Sequence, residues 1–504
     1  MIEYMSQALV TTFTCSNITA LVLGTLIGIV VGILPGLGPM VGMVVLLPFT
    51  FALPPAVALS LLLGVFCGGY FGGAVPAILM RTPGVPSSLV TSFDGFPLTQ
   101  KGEAQTALSA ALVGSLGGGI ISVFILIFLA PALAHVAASF GPPEYFAAGL
   151  LGVVLVVMAY REKLAKGLIL LGLGLWISTV GIDGPTLVPR FCFGTLAMQN
   201  GLHLVPVCLG LFGIGQTLML VERKILVNAR MSLTRRTLDF SKIAATLKYW
   251  KSLILSGVIG TFVGLLPGTG SILASFLSYE TVKKVSGRAE AFGKGAPEGC
   301  LASEAGNNAV PAGAMIPLLT LGIPGDALSA VLLGVFTING IYPGPLLLIK
   351  EPVLINTLYL SMLLINIVAF VILAIWLRPF AMVVRVSNTL LASIIMSLSL
   401  VGIYAVNTRL FDAGVALVMG TLGYILLRLE WPVVNLVMGV VLGEILEERL
   451  RESLSMSEGN PLIFLERPIS LFLFVATFLI IVIPVLWDSR KARIRARNKG
   501  RDFS

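Results

Sequence analysis

Long apolar runs follow one another along almost the whole chain, with no polar/apolar alternation between them. Such runs predict membrane-crossing helices and fit a β-barrel poorly. Two of them are broken by proline and glycine. Residues 18–53 are uncharged and interrupted at Leu34-Pro35-Gly36-Leu37-Gly38. Residues 252–282 are too long for one ordinary span and are interrupted at Leu266-Pro267-Gly268-Thr269-Gly270. Lys251 precedes the second run and Lys283, Lys284, Arg288 and Lys294 follow it, so both of its ends read as cytoplasmic. That predicts a re-entrant helix–turn–helix hairpin with arms of about 15 residues, about 22 Å each. The first run has the same plan, with a single kinked span as the competing reading. The pattern predicts about eleven crossings plus two hairpins.

Composition supports a polytopic membrane protein. Of 504 residues 57% are hydrophobic and only 11% charged, and the mean hydropathy is +0.99. The net charge of +9 lies in blocks between apolar runs, which marks cytoplasmic loops and argues against nucleic-acid binding. One block runs from Arg223 to Lys251 and another from Arg490 to Arg501. Arg81 and Lys101, Arg161, Lys163 and Lys166, and Arg378 and Arg385 fall on the same side in one threading, and the acidic stretch Glu444–Arg467 falls on the outer side. The N-terminus lacks a basic region before its first apolar run, so the first segment is expected to be retained. The five cysteines lack Cys-x-x-Cys spacing and His135 and His203 have no ligand-spaced partners, so no metal site or disulfide framework is expected.

The two interruptions belong to an internal repeat. Gly32–Gly38 matches Gly264–Gly270 at an offset of 232. Val75-Pro76 then matches Val310-Pro311, Pro83-Gly84 matches Pro324-Gly325, and Asp94-Gly95 matches Asn339-Gly340. Residues 1–221 and 252–446 therefore read as two transmembrane repeats joined by a basic cytoplasmic linker, 222–251. Residues 447–504 supply an outer loop, a final span and a basic cytoplasmic tail. The crossing count gives the repeats opposite orientation, the inverted plan of secondary transporters.

Irregular backbone in a bilayer is tolerated where protein, water or ligand satisfies it. Candidate substrate contacts are Gly36, Leu37, Gly38, Gly268, Thr269, Gly270 and Ser271 at the hairpin tips. Thr82, Gly84, Ser87 and Ser88 lie at the first Pro-Gly break of a later helix. These four, with Asn307 and Asn308, polar residues inside an apolar segment preceded by Glu298 and Glu304, are further candidate substrate contacts. At the second break Gly325 and Asp326 are candidates for a cation, and Asp326 as a helix cap is an equal alternative. The ladders Gly24-Gly28-Gly32-Gly36 and Gly260-Gly264-Gly268 read as helix-packing surfaces. No Walker A loop is present, since Gly287 to Gly295 has the wrong spacing and lacks the Ser or Thr after Lys294. No nucleophile, base or metal cluster suggests an enzyme. An ion channel or another solute/cation exchanger is the alternative.

With its duplicated Gly-x-Leu-Pro-Gly-x-Gly motif and the stretch from Ala296-Pro297-Glu298-Gly299 to Asn307-Asn308, the sequence resembles the large membrane subunit of the tripartite tricarboxylate transporters. The resemblance covers nearly the whole chain. It implies a bacterial inner-membrane permease with a small membrane subunit and a periplasmic solute-binding protein as partners. It also implies a di- or tricarboxylate substrate, citrate-like, with sodium or protons as coupling ion and no other cofactor. By analogy with other hairpin transporters it implies an all-α, elevator-type mechanism.

Overall fold

The computed structural model describes residues 2–222, 238–268, 270–382, 387–407 and 409–499. Thr269, Arg385 and residues 223–237 of the basic linker lie outside that set. The described chain is almost entirely helical. Seven of its helices are long and apolar enough to cross a membrane: Cys15–Ile33, Pro55–Met80, Ala104–Ala137, Pro142–Ala159, Leu204–Glu222, Pro352–Leu377 and Leu410–Arg428. Shorter apolar helices include Gly38–Ala52, Ala327–Ile338, Thr389–Tyr404 and Pro468–Ile483. Helix Pro297–Leu321 has 25 residues but is not among the seven. It carries Glu298, Glu304, Asn307 and Asn308 and is buried along nearly its whole length, so protein and not lipid meets its polar groups.

Both interrupted runs form helix–turn–helix units. Cys15–Ile33 leads through a turn into Gly38–Leu46, and Trp250–Leu265 leads into Gly270–Val285. Gly36, Gly38, Gly268 and Gly270 have φ of +87°, +66°, +79° and +67°, a left-handed turn that side-chain-bearing residues resist.

Small residues bring the central helices to backbone contact. Gly24, Gly28 and Gly32 lie against the main chain of Leu61, Val65 and Gly69, and Gly64, Gly68 and Gly72 return the contact. In the same manner Gly260 and Gly264 meet Gly306 and Val310, while Gly114 and Gly118 of the long helix Ala104–Ala137 meet Leu301 and Ala305. Helix Pro297–Leu321 is thereby held between Ala104–Ala137 and the second hairpin. A Cβ at these positions would separate the helices.

The acidic stretch 444–467 is tied down by arginines. Arg451 bonds Asp183 at 2.9 Å and Glu447 at 2.7 Å, Arg190 also pairs with Glu447, and Arg467 reaches Glu144 at 2.8 Å. Asp183 lies in the loop of a small antiparallel ribbon, Gly181–Ile182 with Pro189–Arg190. The Thr186 hydroxyl bond, followed by Arg451 and Arg190, holds its carboxyl below the usual range despite burial.

Candidate functional site

Helix Pro55–Met80 ends at Arg81, in left-handed conformation with φ 57°, and helix Pro297–Leu321 ends at Gly322 with φ 73°. One bond pattern closes both ends. Thr82 N–H donates to the Pro76 carbonyl at 3.4 Å, and Ile323 N–H donates to the Pro317 carbonyl at 3.3 Å. Gly84 then lies on the Gly32 carbonyl and beside Gly73, while Gly325 lies against the Gly264 carbonyl and beside Ala314, where an added Cβ would come to within 2.9 Å of each. All these positions on the break-bearing helices differ by 241 residues. The geometry therefore pairs Pro76 with Pro317, whereas the dipeptide match pairs it with Pro311. Asn307-Asn308 stand opposite Phe66-Cys67 in this register, and not opposite Gly72-Gly73. This helix carries two prolines, and the Val-Pro dipeptide selects Pro311, preceded by Val310, whereas Ile316 precedes Pro317.

The register also pairs Val85 with Asp326 and Ser88 with Ser329. Asp326 is the N-cap of helix Ala327–Ile338: its carboxylate accepts from Ser329 N–H at 2.7 Å, and its own N–H donates to Ser329 Oγ at 2.9 Å. Gly325's carbonyl accepts from Gly268 N–H at 2.8 Å. The pair named for a cation is thus engaged in capping and in holding the second hairpin tip. Val85 has no side-chain acceptor, and the segment after it is a short 3-10 turn, Pro86–Leu89. There the hydroxyls of Ser87 and Ser88 are fully buried without hydrogen-bond partners. Thr82 is half-buried and bonds the Met80 carbonyl, and Arg81 points outward over Phe96.

The hairpin tips have different neighbours. Leu37 is buried with Leu220, Ala392 and Ile395, and the Cβ positions of Gly36 and Gly38 face open space. Gly268 presses on Val156 of helix Pro142–Ala159, Gly270 faces open space, and Ser271 stands beside the Tyr70 hydroxyl. The segment after each break reaches across: Pro86–Leu89 packs on the second hairpin and Ala327–Ile338 on the first.

A polar cluster beside the first break gathers the candidates Ser88, Asn307 and Asn308 around Glu304 and adds Thr91, Ser115 and Ser303, which the sequence reading does not single out. Glu304 is fully buried and accepts hydrogen bonds from the Thr91 hydroxyl and, at 3.2 Å each, from the amides of Asn307 and Asn308. Asn308 also donates to Ser115 Oγ at 2.8 Å, and Thr91 bonds Ser303 at 2.9 Å. The signal was Glu-x-x-Asn-Asn, whose i, i+3, i+4 spacing puts three polar groups on one helix face. Thr91 and Ser115 had no local signal. Nearby, Asp94 accepts bonds of 2.8 Å from the N–H groups of Gly293, Gly295 and Ala296 and from the Tyr279 hydroxyl, clamping the loop before helix Pro297–Leu321.

Comparison with known proteins gives this geometry a family. An uncharacterized 52.8 kDa protein of the TAR-I ttuC' 3' region of Agrobacterium vitis is 35% identical over 501 residues, 98% of each chain. An uncharacterized protein of the TAR-II ttuC' 3' region of the same organism is 34% identical over 238 residues, 46% of this chain and 97% of its own. No solved structure matches. Residues 18–438, which hold both hairpins, both breaks and the polar cluster, match the family described as the tripartite tricarboxylate transporter TctA family. With that match and a relative similar end to end, the chain belongs to the TctA family of tripartite tricarboxylate transporters.

Proposed function

We propose that this chain is the membrane permease of a three-part importer, carrying a citrate-like tricarboxylate inward on a sodium or proton gradient. One observation carries the reading. Two helix breaks, 241 residues apart, are closed by the same proline-carbonyl bond and seated on equivalent hairpin glycines, Gly32 and Gly264. A duplicated break of this kind supports an inverted repeat, 1–221 with 252–446, whose halves exchange roles between outward-open and inward-open states. The tips would offer an anion the backbone around Gly36, Leu37 and Gly38 and around Gly270, with the Ser271 hydroxyl, while Gly268 N–H stays on the Gly325 carbonyl and Leu37 N–H on that of Leu34. Thr269, outside the described residues, belongs to the proposed site by sequence. Thr82, Gly84 and Ser87 would approach the anion from the first break. The positive N-terminal ends of the half-helices that follow the turns would favour a carboxylate.

The hairpins are proposed as re-entrant, and their movement past a fixed scaffold is the proposed elevator step. The family name implies companion subunits. Here they are proposed as a small membrane subunit and a periplasmic binding protein, in a bacterial inner membrane with the C-terminus of this chain cytoplasmic. The test is uptake of labelled citrate and related carboxylates by cells with the complete system or without this chain, in sodium and in sodium-free medium across pH. Saturable uptake that requires both this chain and the binding protein is expected. Non-saturable, binding-protein-independent flux would indicate a channel, and uptake indifferent to sodium and to pH would remove the coupling.

A further inference from the structure

Glu304 sits on a helix that touches protein on all sides, and every group that bonds its carboxylate is a neutral donor. Among the described residues none of the ion pairs includes it. Thr91, Asn307 and Asn308 give it hydrogen bonds as to an ionised acceptor, yet supply no positive charge. An ionised carboxylate in a dry interior is costly unless paired with a charge.

The surrounding oxygens point to what is missing. Asn307 and Asn308 turn their amide nitrogens to Glu304, which leaves the Oδ1 atoms of both buried and without donors. The Ser88 hydroxyl faces the same carboxylate beside Gly73 but makes no well-formed hydrogen bond. Three side chains at least nine-tenths buried therefore carry unused oxygen acceptors around one carboxylate. Hydrogen-bond donors are already plentiful there. A cation is the partner that this oxygen set lacks.

We propose that Glu304, Ser88, Asn307 and Asn308 hold a monovalent metal cation, with Thr91 and Ser115 as positioning residues that orient the carboxylate and the Asn308 amide. One carboxylate neutralises one positive charge. A divalent ion would leave a net charge buried and ordinarily recruits more carboxylates. The assignment rests on the permease reading for its purpose and places the cation at Glu304, where unpartnered oxygens gather, and not at Asp326, whose carboxylate caps the following helix. Break one would then carry the ion directly, because Ser88 belongs to that break.

The experiment is direct binding of radioactive sodium to the full chain in lipid nanodiscs without carboxylate, with potassium as competitor and N-methylglucamine as inert salt. Saturable binding of sodium, or its displacement by potassium, is expected. Glu304→Gln should abolish it and Asp326→Asn should retain it. Ser88→Ala removes a hydroxyl that makes no well-formed hydrogen bond, so it should fold as the parent does and bind roughly tenfold more weakly. Absence of saturable binding of either ion to the parent chain overturns the proposal, as would be the case for a site that takes only a proton. Binding unchanged by Glu304→Gln or by Ser88→Ala overturns it too. Since no carboxylate is present, a chain that binds sodium through Glu304 but imports nothing would keep this site and lose the permease reading, and the converse result would do the reverse.

Discussion

At Thr82–Ser88 and at Ile323–Ser329 the backbone leaves its helix through the same proline-carbonyl closure and then diverges, into a 3-10 turn at the first and an α-helix at the second, with two different sets of side chains. The second break closes on itself: Gly322 takes the left-handed position without strain, Asp326 caps the following helix, and Ser329 answers the cap. At the first, Arg81 occupies the left-handed position, Val85 cannot cap, and Ser87 and Ser88 keep their hydroxyls unused although buried. A satisfied break is a structural hinge point, whereas an unsatisfied one has free groups to offer a ligand. Of two breaks closed alike, the one with unpaired polar atoms is where binding is to be sought.

That contrast can be broken in order of effect. Gly84→Ala would drive a Cβ into the Gly32 carbonyl and should destabilise the chain by about 3 kcal/mol in thermal unfolding, as overpacking does. Gly325→Ala, with its nearest neighbours at 2.9 Å, should cost less, and a larger loss would reverse the ranking of the two seats. Removing the cap with Asp326→Ala should lower stability by about 1 kcal/mol, while Asp326→Asn should recover most of it. Arg81→Gly relieves a left-handed residue but loosens the unfolded chain, so a gain of about 0.5 kcal/mol is expected from the same melts. Ser87→Ala should leave the melting curve within about 0.5 kcal/mol of the parent and yet weaken carboxylate uptake. Unchanged uptake would remove Ser87 from the site.

Proline and glycine made much of the backbone legible. Pro35-Gly36 and Pro267-Gly268 predict turns with positive φ, and the turns are there. The glycine ladders predict close helix contact, and Gly24, Gly28 and Gly32 make it. Register was less legible. The dipeptide Val75-Pro76 matches Val310-Pro311, whereas the carbonyl bonds to Thr82 and Ile323 set Pro76 beside Pro317 in role. The sequence leaves Asp326 open between ion ligand and cap, and the tertiary structure shows the cap bond from Ser329 N–H.

The polar cluster was the least readable part. Its members come from residues 88–91, from Ser115 and from 303–308, and no spacing along the chain links the three segments. Their meeting depends on Gly114 and Gly118 letting one helix lie against Leu301 and Ala305. Local chemistry settled where helices bend, since proline withholds an amide and glycine admits a left-handed residue regardless of surroundings. Which buried oxygens stay without partners was decided by long-range packing alone, because hydrogen bonding is satisfied by neighbours in space and not by neighbours in sequence.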